Sequence, residues 1–171
     1  MRTMAQPATD PGAALLDLYD SALPEVYGYL VRRCDSAAVA EDLTAETFLA
    51  AVDAVKRDRV PDLTIRWLIG VARHKLVDHW RARVREERKL AAVDPPAPVD
   101  DWDELVDAVR AHDVLRRLGA HHRMVLTLRY LDGLSVPETA ERLDRTVHAT
   151  EALLVRARHA FRVQYGERGE A

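Results

Sequence analysis

The side chains with the most chemical capacity in this 171-residue chain are seven histidines, one cysteine and 25 lysines and arginines. The histidines do not fall into a ligand pattern. His121 and His122 are adjacent, so on a helix they point about 100° apart, and no His-Glu-x-x-His or comparable spacing occurs. Neither a glycine-rich phosphate loop nor a nucleophile elbow is present, so no cofactor and no enzymatic activity is expected. Cys34 stands alone and cannot form an internal disulfide, which fits a reducing cytoplasm. The cations are different, because they are arrayed. Arg66, Arg73, Arg81 and Arg88 gather within a wedge of about 80° when the segment around them is wound as a helix, beside an apolar stripe of Leu68, Ile69, Ala72, Leu76 and Trp80. An array of that kind can hold a polyanion.

The net charge of −3 conceals this arrangement. By segment the charge is −5 over residues 1–64, +5 over 65–92, −6 over 93–113 and +3 over 114–171. Two basic segments with an acidic one between them predict two polyanion-facing surfaces. The longest run without Asp, Glu, Lys or Arg is Thr3 to Thr9, far short of the roughly 20 apolar residues of a membrane span. Neither membrane insertion nor a signal peptide is expected, and the predicted location is the cytoplasm.

The elements that must position these residues are helical throughout, since apolar residues recur at helical spacing and β-branched runs between turns are missing. A first helix is expected over Pro11–Arg33, with Leu15, Tyr19, Leu23, Val26, Tyr27 and Leu30 on its inner face and a kink or break at Pro24. Asp35 or Ser36 caps a second, reaching about Lys56 and burying Val39, Leu43, Phe48 and Val52. A loop follows, ended by Pro61. The basic helix runs over about Thr64–Leu90. The segment from Ala91 to Val99 carries three prolines and reads as a linker, placing domains at 1–92 and 101–171 with residues 93–100 between them. Asp100 or Asp101 caps the next helix, reaching Leu118 through Leu105, Val109 and Leu115. Another covers Ala120–Leu131, with Met124, Val125 and Leu128 inward and a stop at Asp132-Gly133.

Ser135-Val136-Pro137-Glu138 is a capping box with proline in the first turn. A helix of about nine residues should follow, then a turn of Asp144, Arg145 and Thr146, then a longer helix from Val147 to about Gln164. Two helices joined by so short a turn, with small Ala140 at their close approach, match a DNA-binding helix-turn-helix. The second would present Val147, His148, Ala149, Glu151 and Ala152 to the major groove, with Arg156 and Arg158 reaching phosphates. Arg145 and Thr146 lie in the turn at its mouth.

With these elements in place, the chain resembles a bacterial RNA polymerase sigma factor of the extracytoplasmic-function group. Glu41-Asp42-Leu43-Thr44-Ala45-Glu46-Thr47-Phe48-Leu49 is similar to that family's Asp-Leu-x-Gln-Glu-Thr-Phe pattern, with Ala45 at the usual glutamine. Trp67 to Arg81 is similar to its Trp-Leu…Ala-Arg-Asn…Asp-x-x-Arg signature, with His74 in place of asparagine. Residues 118–162 are similar to its minus-thirty-five domain, through Arg123, Leu128, Arg129, Tyr130, Gly133-Leu134-Ser135 and Arg156-Ala157-Arg158.

The resemblance implies an all-α fold of two small domains. It implies core RNA polymerase as a partner, through its clamp helices and flap, with Glu41, Asp42, Leu43, Glu46 and Phe48 at the docking surface. It implies minus-ten promoter contacts by Arg59, Asp62, Arg66, Trp67, Arg73, His74, Lys75, Asp78, Trp80 and Arg81, where Trp67 and Trp80 would stack on unpaired bases or anchor the core. Promoter DNA, both duplex and single-stranded, and an anti-sigma factor complete the expected partners.

Other readings remain open on sequence. A stand-alone helix-turn-helix regulator would have no use for the acidic second helix. An adaptor that has lost DNA binding draws support from Glu151 and Leu153, which stand where the family often carries cations. Glu151 would repel phosphate yet could accept a hydrogen bond from cytosine, which implies either an unusual promoter or a weakly binding helix.

Overall fold

The computed structural model describes residues 11–60, 62–90 and 108–166, and all regular structure among them is helical. The helices are α1 (Pro11–Val31), α2 (Ala37–Lys56), α3 (Ile65–Leu90), α4 (Ala108–Arg117), α5 (Ala120–Leu126), α6 (Val136–Leu143) and α7 (Val147–Gly166), with a π-helical turn over Thr127–Leu131. Two compact units divide the chain inside α3, one ending at Leu76 and the other beginning at Val77. The proline-rich segment 93–100, the Asp100/Asp101 cap and Leu105 lie outside the described residues.

In the N-terminal unit α1 and α2 pack against each other along an apolar seam. Ala22, Val26 and Leu30 of α1 are fully buried, and Ala40, Leu43, Phe48 and Ala51 of α2 complete the layer with Leu68, Ala72 and Leu76 of α3 buried beside them in sequence order of every fourth residue. Each fully buried leucine contributes about 1.5–3 kcal/mol relative to exposure. Of the kink or break expected at Pro24, the break does not occur: α1 is one helix with Pro24 inside it. Proline forfeits one backbone hydrogen bond, and Pro24 is exposed, while Val26 and Leu30 beyond it are held in the core. Tyr19, Leu23 and Tyr27 are not in the core but partly exposed, and Val52 also faces outward.

The ends of these helices follow from local chemistry. Ser36 Oγ accepts from the Val39 N–H at 3.3 Å, capping α2. Thr44 and Thr47, buried on α2, donate their hydroxyls to the Ala40 and Leu43 carbonyls at 2.7 Å each, so neither hydroxyl is stranded. The helix stops before Pro61 is reached. Asp58 turns left-handed at φ 52°, its N–H bonds the Val55 carbonyl and the Arg59 N–H bonds the Ala54 carbonyl, which is a Schellman ending with aspartate at the position glycine usually fills. The α1 terminus is closed by Arg33, whose guanidinium donates to the Tyr29 carbonyl and lies 3.8 Å from the centre of the Tyr29 ring.

In the C-terminal unit the second half of α3 buries Val77, Trp80 and Val84. Helix α4 turns Val114 and Leu118 inward, whereas Val109 is 77% exposed and Leu115 only half-buried, so the expected inner face is rotated. Met124, Val125 and Leu128 are buried as expected. The helix they belong to is not uniform. At Thr127 it widens to a π turn, closed by the Asp132 N–H on the Thr127 carbonyl, and this leaves Tyr130 and Leu131 exposed. Gly133 then takes φ 68°, a conformation that suits a residue without Cβ.

Candidate polymerase and nucleic-acid interfaces

The acidic surface of the N-terminal unit is a ridge on α2. Glu41, Asp42, Ala45 and Glu46 are exposed, while Leu43, Thr44, Thr47 and Phe48 point into the unit. This separates the polymerase-facing residues expected from sequence into two groups. Leu43, at 4% exposure, belongs to the core rather than the docking surface, because its position one turn from Ala40 and Thr47 turns it toward α1. Phe48 is also buried, edge-on to Tyr19 at 4.9 Å between ring centres. Its ring helps to line a groove of 510 Å³ between α1 and α2, bordered by Tyr19, Leu23, Pro24, Tyr27, Glu41, Thr44 and Ala45. The sequence placed the α1 aromatics in the core; period alone does not distinguish a core face from a groove wall. Glu46 is also tied to α3, its carboxylate 3.4 Å from Lys75 Nζ. Both groups are well solvated, so this pair contributes about 0–1 kcal/mol.

At the start of α3, Thr64 Oγ1 accepts from the Trp67 N–H at 3.2 Å, so the helix begins beside the loop that carries Arg59 and Asp62, both exposed. Arg66 and His74 are exposed, and Trp67, Arg73 and Lys75 are half-buried. Trp80 is 1% exposed and packs in the core, so it has no face to offer a base. Val77 and Val84 are buried beyond it around the helix and widen the stripe, so Trp80 does not stand at its edge. Arg81 is partly engaged within the C-terminal unit: Nη2 donates to the Arg142 carbonyl at 2.7 Å and Nη1 lies 3.8 Å from the exposed Asp78 carboxylate. The Arg88 side chain lies outside the described residues.

The helix-turn-helix is α6, a turn over residues 144–146, and α7. Ser135 Oγ accepts from the Glu138 N–H at 3.3 Å, and the Glu138 carboxylate accepts from the Ser135 N–H at 2.7 Å and from its hydroxyl at 2.6 Å. These bonds, the hydroxyl first, hold the Glu138 carboxyl below the usual range. Asp144 ends α6 in the left-handed region at φ 53°, with its own N–H on the Glu141 carbonyl and the Arg145 N–H on the Ala140 carbonyl. The device that ends α2 is repeated here, again with aspartate. Thr146 caps α7 through the Ala149 N–H at 3.2 Å.

Val147, His148, Glu151 and Ala152 are exposed on the first turns of α7, and Ala149 is half-buried. Thr150, Leu153, Leu154, Ala157 and Phe161 are buried on the opposite side. Leu153 is fully buried, so it is a core residue and offers nothing to an adaptor's partner. Arg145, Arg156 and Arg158 are half-buried, and Arg158 Nη1 donates to the Tyr130 hydroxyl at 3.3 Å.

Arg123 has a role the sequence did not reveal. It is 8% exposed, donating from Nε to the Leu115 carbonyl at 2.9 Å and from Nη2 to the Leu118 carbonyl at 3.1 Å and to the Arg116 carbonyl. These are the last carbonyls around the end of α4, which have no intrahelical partner, and the cation meets the negative end of the helix dipole. Glu87 does the converse at the start of α5, where Gly119 has no side chain to cap: its two carboxylate oxygens accept from the Ala120 N–H at 3.2 and 3.1 Å. Among the described residues no group of three or more His, Cys, Asp or Glu side chains could hold a metal ion, and no helix is long and apolar enough to cross a membrane.

Comparison with known proteins places both regions. Residues 18–86 match the family described as Sigma-70 region 2, and residues 108–160 match Sigma-70, region 4. The RNA polymerase sigma factor CarQ of Myxococcus xanthus is 30% identical over 131 residues, 73% of this chain and 74% of CarQ. The ECF RNA polymerase sigma factor BldN of Streptomyces coelicolor is 34% identical over 152 residues, 82% of this chain. The chain belongs to the extracytoplasmic-function group of the sigma-70 family. It spans 56% of the length of BldN. Among solved structures, the sigma factor RpoE from Bartonella quintana, crystallised with the anti-sigma factor NepR, shares the fold at a TM-score of 0.53 with 18% identity, over 88% of this chain and 96% of that one. In this sigma-family chain the region 2 match takes in α2 and most of α1 and α3, and the region 4 match takes in α6, the turn after it and most of α7.

Proposed function

We propose that this chain binds core RNA polymerase, directs it to a set of promoters and helps to open them. Glu41, Asp42 and Glu46 dock polymerase, with the apolar groove beside them receiving the clamp helices. Arg59, Asp62, Arg66, Trp67, Arg73, His74, Lys75, Asp78 and Arg81 serve the minus-ten element, the cations on phosphates and Trp67 against an unpaired base. Arg145, Thr146, Val147, His148, Ala149, Glu151, Ala152, Arg156 and Arg158 serve the minus-thirty-five duplex. The observation that carries this reading is the pairing of an exposed acidic ridge in a region 2 match with an outward-facing helix-turn-helix in a region 4 match. A stand-alone regulator needs only the second.

The domain organisation expected from sequence, 1–92 and 101–171 with a proline-rich joint, belongs to the same proposal. So does an anti-sigma partner, which the complex of Bartonella RpoE with NepR brings to mind for a chain of this fold. A pull-down from native cells tests that partner: recovery of polymerase subunits alone counts against it. Run-off transcription with purified core enzyme and a genomic promoter pool tests the function itself. Discrete transcripts that require this chain are expected. Tight polymerase binding without any promoter-dependent transcript would overturn the proposal.

A further inference from the structure

The first part of α7 contains no cation. From Val147 to Val155 the sequence is Val-His-Ala-Thr-Glu-Ala-Leu-Leu-Val, and the nearest arginines are Arg145 before the helix and Arg156 further along it. Among the side chains exposed on these turns, Val147, His148, Glu151 and Ala152, the only carboxylate is Glu151. The Glu151 carboxylate has no hydrogen bond and no ion pair among the described residues. In the major groove a carboxylate loses water and faces two phosphate strands. That position is tolerable only if a base supplies a donor.

Only two bases present a donor there, cytosine through its N4 amino group and adenine through N6. Adenine sets the N7 acceptor beside its amino group, where it would oppose the second carboxylate oxygen. Cytosine has no acceptor on that edge. We propose that Glu151 is a specificity-determining residue that selects a cytosine amino group at one position of the upstream duplex element. This rests on the promoter-directing reading above. The recognition helix therefore reads its site with a carboxylate, leaving phosphate attraction to Arg145, Arg156 and Arg158.

The test uses holoenzyme assembled from core polymerase and the full chain, selecting from duplexes randomised across the upstream element. The native chain is expected to enrich cytosine at one fixed position by about tenfold over each other base, the lower range of discrimination by a base-edge contact. Glu151→Ala should level that position while leaving preferences elsewhere intact. Glu151→Lys should shift it toward guanine, whose groove edge offers acceptors. A duplex in which that cytosine is N4-methylated, which keeps the base pair but removes the groove-facing N–H, should weaken the native protein about tenfold and leave Glu151→Ala much less affected. Identical base preferences in all three proteins would overturn the assignment, as would a Glu151→Ala protein that binds every sequence equally more tightly, which marks a purely repulsive role. Absence of any enrichment by the native holoenzyme would instead overturn the promoter-directing reading itself.

Discussion

The two units solve the same problem, a small helical core with a functional surface, by different means. The N-terminal unit relies on long helices whose faces divide cleanly: Leu43 and Phe48 in, Glu41, Asp42 and Glu46 out. The C-terminal unit also has one long helix, α7, as long as α2, but α5 and α6 have only seven and eight residues, and side chains bonded to backbone fix the helix ends: Arg123 at the end of α4, Glu87 at the start of α5, Ser135 and Glu138 on α6 and Thr146 on α7. Short helices carry few intrahelical bonds and expose a larger share of unpaired backbone groups, so end chemistry matters more there. Stability in the first unit should therefore respond chiefly to core volume, and in the second also to polar caps.

The largest expected effect comes from core volume. Leu30→Ala, at a fully buried site of α1, should cost about 3–4 kcal/mol in chemical denaturation and lower hydrogen-exchange protection in α1 and α2 first. Arg123→Ala should cost about 1–3 kcal/mol by removing the buried guanidinium that bonds three carbonyls around the end of α4, and the lost protection should fall in α4 and α5. Equal loss in both units from either variant would erase the contrast. Next comes a binding effect without a folding effect. Charge reversal by Asp42→Lys with Glu46→Lys, on the exposed ridge, should weaken core-polymerase association by about tenfold in a quantitative pull-down while altering stability by less than about 0.5 kcal/mol. Unchanged polymerase affinity would remove the ridge from the docking surface.

Smaller effects probe the helix ends. Asp144→Ala should destabilise the C-terminal unit by about 1 kcal/mol, because alanine meets the left-handed conformation without the local hydrogen bonding that aspartate can offer. Ser135→Ala should cost about 1 kcal/mol through the lost cap. The smallest is a pH effect. Glu138 has its folded pKa lowered by Ser135, so its contribution to stability is present above the ordinary glutamate range and is lost as pH falls through the lowered value. Acid titration of stability should show that increment in the native chain and a smaller one in Ser135→Ala, whose backbone N–H still reaches the carboxylate.

The same contrast explains what could be read from sequence. Ser36, Ser135 and Thr146 were legible as caps because a hydroxyl before an apolar run has few other uses at that spacing. The long periodic helices were legible for the same reason, down to Leu68, Ala72 and Leu76. At Pro24 a kink and a break were both open, and the helix continues without a break because Ala22, Val26 and Leu30 on either side are held in the core. Val109 misled because a helix of ten residues gives too few turns to fix which face is inward. The π turn after Leu126 and the reach of Arg123 to α4 depend on tertiary neighbours, and no local pattern announces them. At the candidate sites the exposed acids of α2 and the outward face of α7 followed from periodicity. The same periodicity put Leu43 and Trp80 on buried faces, where the structure has them; the resemblance set them at partner surfaces because a family signature mixes residues that touch partners with residues that hold the helix in place. Leu153 had looked like a functional departure and is a packing residue.

The division of labour between the units is tested most directly by footprinting holoenzyme on a promoter that it transcribes. The expected result is two separated zones: upstream duplex protection that Arg156→Ala with Arg158→Ala removes, and downstream permanganate-reactive thymines that Arg66→Ala with Trp67→Ala abolishes while upstream protection persists. A single protected zone, with no strand opening and equal sensitivity to both pairs of substitutions, would contradict it.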